Sequence, residues 1–337
     1  MRTAGWDRPV ADELLSSYLV RVAIAQGTSA HRLCARYAPG VSVWTRDIDR
    51  CAPERLVRVV ADQAQVSVDR IEGMCLSGWR ELAPRTHPMA AITPWISAVG
   101  TYHRLRRRYG LHYCPACLEQ DGAFLCVWRL SFVTACPKHE LQLRDRCGSC
   151  GEPVTPNRQG VMTRCWRCQG DLCAGSRPLE KVGLGQRWLS SCLSQQSSSR
   201  CVPSEIWLGL KQLLEAFAGR PSRRLVGAGP RIRIELADVQ TQRADMRLLD
   251  DLIAQWPRSL WRAADRQGVN QLAFPSKLPP WLDAAVKRLP AGHPRGRRDT
   301  PSTRLKDVQR AEAALSPGWR TKRAEFLLDQ VPQQRGH

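Results

Sequence analysis

Three observations predict a mainly α-helical, multidomain fold with little β structure. Apolar residues recur at helical spacing on both sides of the chain's centre. The centre itself holds four close pairs of cysteine or histidine between Cys114 and Cys168. The 337-residue chain also carries 51 Lys and Arg against 31 Asp and Glu, a formal net charge of +20. A hydrophobic fraction of 43% is enough to build ordinary cores.

Residues 1–110 form the first expected domain, all helical. Asp12 is placed to cap a helix whose apolar face is Leu14, Leu15, Tyr18, Leu19 and Val22, ending at Gly27. Pro53 suits the first turn of a second helix carrying Leu56, Val59, Val60 and Ala64. Gln65-Val66 then makes a short turn and Ser67 a cap. A third helix runs from Val68 through Ile71 to Cys75 or Leu76. Helix, tight turn and helix over 54–76 is the outline of a helix-turn-helix, and it predicts nucleic-acid contact; the plainer reading is a packing pair.

Residues 111–180 form the expected tandem zinc region. In order it reads Cys114-Pro-Ala-Cys117, Cys136-Pro-Lys-His139, Cys147-Gly-Ser-Cys150 and Cys165-Trp-Arg-Cys168. Cys114, Cys117, Cys136 and His139 make one four-ligand set; Cys147, Cys150, Cys165 and Cys168 make the other. Each set fills a tetrahedral zinc ion without leaving room for water, so two structural Zn2+ are expected. Sequence alone does not fix which pairs share an ion, so interleaved pairing of the sets is an alternative, and Cys173 is a spare that could replace Cys168. Between the ligands, Leu125, Trp128 and Phe132 fit a helical stripe.

Ser190 to Arg200 is rich in Ser and Gln and reads as a linker. The expected C-terminal helical domain spans 181–290. Ser204 opens a helix with Ile206, Leu210, Leu213, Leu214 and Phe217, closed by Gly219. A second carries Met246, Leu249, Leu252, Ile253 and Trp256 and stops at Pro257. A third opens at Pro279-Pro280-Trp281-Leu282 and carries Ala285, Val286 and Leu289. Residues 291–337 read as a basic, partly flexible tail with helical segments at 304–315 and 320–330.

The charge is clustered, and a sequence pI of about 10.0 points to a polyanionic partner. Seven zinc-bound thiolates and two Zn2+ would lower the net charge by only about 3. The candidate nucleic-acid contacts are Arg104, Arg106, Arg107 and Arg108, then Arg223 and Arg224, then Arg297 and Arg298, with Arg70 on the third helix. The first residues lack the apolar run of a secretory signal, and no stretch approaches the ~20 apolar residues of a membrane span. A cytoplasmic protein with reduced thiols and no membrane partner is therefore expected. No G-x4-G-K-[ST], H-E-x-x-H or H-x-E pattern occurs, so the chain is not expected to be an enzyme.

Asp12-Glu13-Leu14-Leu15-Ser16-Ser17-Tyr18-Leu19-Val20-Arg21 followed by Gly27 resembles the opening signature of the TniQ family. Tyr113-Cys114-Pro115-Ala116-Cys117-Leu118, Trp128-Arg129-Leu130-Ser131-Phe132, Cys136-Pro137-Lys138-His139 and Cys147-Gly148-Ser149-Cys150 together resemble the core of TniQ and the related TnsD proteins. The resemblance covers about residues 12–170. It implies a transposon protein that selects the insertion site, linking target DNA or a target-bound complex to the AAA+ ATPase regulator that recruits the transposase. Some relatives bind DNA directly. Others dock onto an RNA-guided complex, which makes a homodimer a further expectation. The alternative is a zinc-dependent helix-turn-helix transcriptional regulator.

Overall fold

A run of small and apolar residues, LSSYLVRVAIA, forms helix α1 (Leu15–Ala25), and seven of its eleven residues are buried. Burial on nearly all sides makes α1 a central strut rather than a surface helix. It packs against α2 (Ala30–Tyr37) and the 3-10 turn Pro156–Arg158. Trp6 closes this end, its ring 6.1 Å from Tyr18 and 5.3 Å from Tyr37. The computed structural model describes residues 5–45, 47–76, 92–99, 110–136, 138–175, 183, 204–218 and 233–292.

The remaining helices are α3 (Glu54–Ala64), α4 (Val68–Glu72), α5 (Pro115–Asp121), α6 (Ser204–Ala218), α7 (Val239–Ile253), α8 (Arg258–Gln267) and α9 (Pro280–Val286). Among the described residues β structure is confined to six isolated antiparallel bridges. The fold is mainly helical with almost no strand, as the apolar spacing predicts. No helix among the described residues is long and apolar enough to cross a membrane.

The described chain divides into two units. One holds residues 5–175 with Arg233–Arg243; the other holds 204–218 with 244–292. In the first, Trp95, Phe124, Trp128 and Phe132 are fully buried. Their rings meet edge to face, Trp95 with Phe132 at 5.7 Å and Phe124 with Trp128 at 6.3 Å. Each such side chain contributes roughly 1.5–3 kcal/mol on burial. In the second, Leu213, Leu249, Leu252, Leu260 and Leu282 reach zero exposure, one or more from each of its helices.

Several local expectations change. Asp12 does not cap α1: it has a left-handed backbone (φ 57°), and its carboxylate accepts the Val127 N–H at 3.4 Å. In α3 the buried face includes Val57, while Val59 is half-buried. Ser67 does cap α4, accepting the Arg70 N–H at 3.2 Å, but α4 ends at Glu72 rather than at Cys75 or Leu76. The stripe of Leu125, Trp128 and Phe132 is not a helix; Cys126–Arg129 is a single 3-10 turn between bridges at Leu125 and Leu130. Ser204 is the first residue of α6 rather than a cap before it, and Leu289 lies past the end of α9, still buried. The linker at 190–200, Gly219 and the segments 304–315 and 320–330 lie outside the described residues.

Candidate metal centres

Cys114 precedes α5 and Cys117 sits in its first turn, where Pro115 starts the helix at no hydrogen-bonding cost. Across from them, Cys136 and His139 occupy a tight hairpin. The Cys136 Sγ lies 3.6 Å from Cys117 Sγ, and His139 Nδ1 lies 3.6, 3.2 and 3.7 Å from the sulfurs of Cys114, Cys117 and Cys136. All three cysteines are buried and His139 is half-buried.

Cys147, Cys150, Cys165 and Cys168 form the second cluster, with 3.7 Å between Cys147 and Cys168 and 3.7 Å between Cys150 and Cys165. Cys150 and Cys168 are exposed. The ligands therefore group in sequence order, and the interleaved alternative is not adopted. Cys173 is half-buried, and burial pushes its thiol up to about 11.

Three of the four ligand pairs share one hairpin. The first ligand's N–H donates to the carbonyl five residues on: Cys136 to Leu141 at 2.8 Å, Cys147 to Glu152 at 2.9 Å, Cys165 to Gly170 at 2.9 Å. Its carbonyl accepts the N–H four residues on, from Glu140, Gly151 and Gln169, each at 3.0 Å. These three residues all have a left-handed backbone, φ 50°, 71° and 59°. An antiparallel bridge flanks each turn: Ala135 with Gln142, Arg146 with Pro153, Arg164 with Asp171. In the second cluster, Arg146 and Arg164 each donate back to the left-handed residue's carbonyl, at 3.1 and 3.3 Å.

This geometry fits a tetrahedral metal. Bonds of ~2.3 Å to sulfur and ~2.0 Å to nitrogen put ligand atoms roughly 3.5–3.8 Å apart, which is the spacing found, whereas a disulfide would bring sulfurs to about 2.05 Å. Backbone N–H groups favour the thiolate form at two of the ligands, Cys136 and Cys147. The Cys136 thiol is drawn down to about 5, first by a hydrogen bond from Cys114, against burial, and then by the His139 and Lys138 N–H groups. At Cys147 burial opposes, but the N–H groups of Cys150 and Ser149 win and lower the thiol to about 7. Either cluster could hold one metal ion through side chains alone.

Two buried ionic networks frame the first cluster. Glu13 is fully buried and accepts from Arg21 Nε at 3.1 Å, Arg21 Nη2 at 2.9 Å, Ser17 Oγ at 3.1 Å and the Val10 N–H at 3.0 Å. Ser17 in turn accepts the Phe124 N–H at 2.9 Å, which joins α1 to the segment between the ligand pairs. Arg129 is also fully buried. It donates to Asp47 at 3.2 and 2.6 Å, to Asp49 at 3.2 Å and to the Ser97 carbonyl at 3.2 and 2.9 Å. Asp49 holds the start of α1 through the Ser16 N–H at 2.8 Å and Oγ at 2.7 Å. A buried cation stays charged only with such pairing.

The TniQ family model matches residues 6–143, an interval that contains both networks and all four ligands of the first cluster. Residues 6–143 thus match TniQ as a domain within the chain. No curated protein matches it. A TniQ match supports a transposition-associated role in target selection. The residues that mark the family resemblance thus have a physical role, since Glu13, Ser17, Arg21 and Arg129 are the interior fastenings around the first cluster. The match ends at Leu143, before the second cluster begins.

The expected nucleic-acid contacts fare differently. Arg70 is exposed on α4, where its guanidinium donates to the Val10 carbonyl at 3.3 Å. Arg104, Arg106, Arg107, Arg108, Arg223, Arg224, Arg297 and Arg298 lie outside the described residues. The networks at Glu13 and Arg129 went unforeseen as sites. A charged residue inside the apolar run Trp128–Phe132 was the available signal, because an unpaired arginine is almost never fully buried.

Proposed function

We propose that this chain is a non-catalytic adaptor for transposition that binds target DNA, or a target-bound complex, and recruits an AAA+ regulator and through it the transposase. The TniQ match over residues 6–143 carries this reading. The two clusters hold one Zn2+ each. One donor set is three thiolates with an imidazole and the other is four thiolates; both suit that ion. Four protein ligands leave no position for an activated water, so the metal is structural.

The electrostatic side of the proposal belongs mainly to other parts of the chain. Of the 51 Lys and Arg, 25 lie in described residues, beside 24 of the 31 Asp and Glu; the rest of the sequence holds 26 against 7. Polyanion attraction of the whole chain therefore comes chiefly from stretches such as 101–109 and 220–231, together with the tail. A second reading, a zinc-dependent transcriptional regulator, draws on the helix–turn–helix pair α3 and α4.

A transposition assay separates the two. Cells carrying the cognate transposase, the AAA+ ATPase and a marked element should lose insertion at the preferred target when this chain is deleted and recover it on complementation. Unchanged insertion, with altered transcription of neighbouring genes, would favour the regulator.

A further inference from the structure

Helix α8 carries a ladder of arginines that neither the metal clusters nor the family match uses. Leu260, Trp261, Ala263 and Ala264 are its buried residues. At about 100° per residue these centre on one side, and Arg258, Arg262 and Arg266 follow one another on the opposite side, spaced i, i+4, i+8. The ladder spans about 12 Å of helix. Arg262 and Arg266 are exposed and Arg258 is half-buried. Arg262 donates to the neutral amide of Gln255 at 3.1 Å, which aims the guanidinium. Asp265 is the one acidic residue of the helix and is half-buried. Arg288, exposed, lies with its guanidinium 5.5 Å from the Trp261 ring and adds a further positive charge beside α8.

The other helix–turn–helix pair contrasts sharply with this. Along α3 and α4 the exposed charges are Arg55, Arg58 and Arg70 against Glu54, Asp62, Asp69 and Glu72, and Arg58 is paired with Glu54. That surface is slightly acidic, which repels phosphate. In a described framework whose basic and acidic residues nearly cancel, a single-sign ladder on one helix is a local feature and not a reflection of overall charge.

We propose that α8 binds the phosphate backbone of duplex DNA through Arg258, Arg262 and Arg266. Helix α7 and a four-residue turn lead into it, so α8 stands second in its own helix–turn–helix sequence. The contact is to phosphates, positioning the protein without reading bases. The inference rests on the DNA-binding reading above and assigns part of that contact to a surface.

The test is fluorescence anisotropy of the full chain, zinc-replete, with a labelled random-sequence duplex across a salt series. Arg258→Gln/Arg262→Gln/Arg266→Gln should weaken binding at least tenfold at low salt and reduce the salt slope by roughly 2–3, near 0.9 per lost phosphate contact. Arg55→Gln/Arg58→Gln/Arg70→Gln, which removes the same charge from α3 and α4, should leave both nearly unchanged. Arg262→Glu alone, with circular dichroism to confirm folding, should weaken binding several-fold. Equal losses in the two triple variants would overturn the proposal, because net charge alone would then explain the effect. Wild-type affinity in the α8 variant would overturn it while leaving DNA binding by the chain intact. No duplex binding by the wild type would sink the DNA-binding reading and this inference together. Preference for single-stranded RNA over the duplex would also count against it.

Discussion

The two candidate metal clusters share a hairpin, used once in the first and twice in the second, yet occupy different positions in the molecule. The first lies inside the family interval, its three sulfurs buried, with α1 fastened beside it through Ser17 and Phe124. The second lies beyond that interval, and two of its four cysteines are exposed. Its turns are braced locally, by Arg146 and Arg164 reaching back to their own hairpins. Two similar four-ligand sets, one with an imidazole and one all thiol, thus sit in different surroundings. The first cluster lies in a core defined by long-range contacts; the second has two exposed cysteines and reaches the core through Pro156–Arg158 against α1. Sulfur spacing is the same in both, so the difference arises from what surrounds the ligands.

The largest effect expected from this contrast is at Cys114. Cys114→Ser should lose one zinc and unfold the family region, because structural zinc contributes folding free energy directly, apparent values running to roughly 10 kcal/mol or more in small zinc domains. Cys150→Ser should lose one zinc and unravel only the hairpins around residues 144–175. Hydrogen exchange resolved along the chain checks both. Global loss of protection in each variant would erase the distinction.

Next in size is Arg129→Ala, which leaves Asp47 and Asp49 without their cation and should cost about 3–5 kcal/mol. Urea unfolding would measure it. A cost under about 1 kcal/mol would mean that the network around the first cluster does not hold it.

A smaller effect sharpens the same network through pH. Burial pushes the Asp49 carboxyl up from 3.8 to about 6, against the pull of Arg129 and with Asp47 adding to the rise. Between about pH 4 and 6 the folded state therefore binds that proton more tightly than the unfolded state, and this group's contribution to stability falls as pH rises. Subtracting the urea midpoints of Asp49→Asn from those of the wild type at each pH should reveal that downward slope. A flat or rising difference would contradict the assignment.

The smallest effect concerns the shared hairpin. Gly151 takes the left-handed position at no steric cost, but Glu140 and Gln169 occupy it as L residues. Glu140→Gly should stabilise by about 0.5–1 kcal/mol, a relief of ~1–2 kcal/mol less the added freedom of glycine when unfolded. A lower melting temperature would show that Glu140 makes a compensating contact.

Much of this was legible in the residues themselves. Ligand spacing gave both donor sets, and helical periodicity located α1, α3, α6, α7 and α9, because both signals are local. Three kinds of feature were not legible. The Arg129 pairing joins residues about eighty positions apart, and no local pattern reports such a contact. The shared hairpin depends on backbone φ at Glu140 and Gln169, residues that give no glycine signal. Helix α8 was hidden behind the stop expected at Pro257: the preceding helix already ends at Ile253, and Pro257 is instead the cap of Arg258–Gln267. The unequal burial of the two clusters likewise follows from tertiary packing alone.

Zinc release from the intact chain tests the central claim most directly. After purification without added metal, elemental analysis should give two zinc ions per chain, and a chromogenic chelator should remove them in two phases of equal amplitude. The fast phase should disappear in Cys150→Ser while the slow one persists. One phase of twice the amplitude, or a wild-type chain that purifies folded without zinc, would contradict the account.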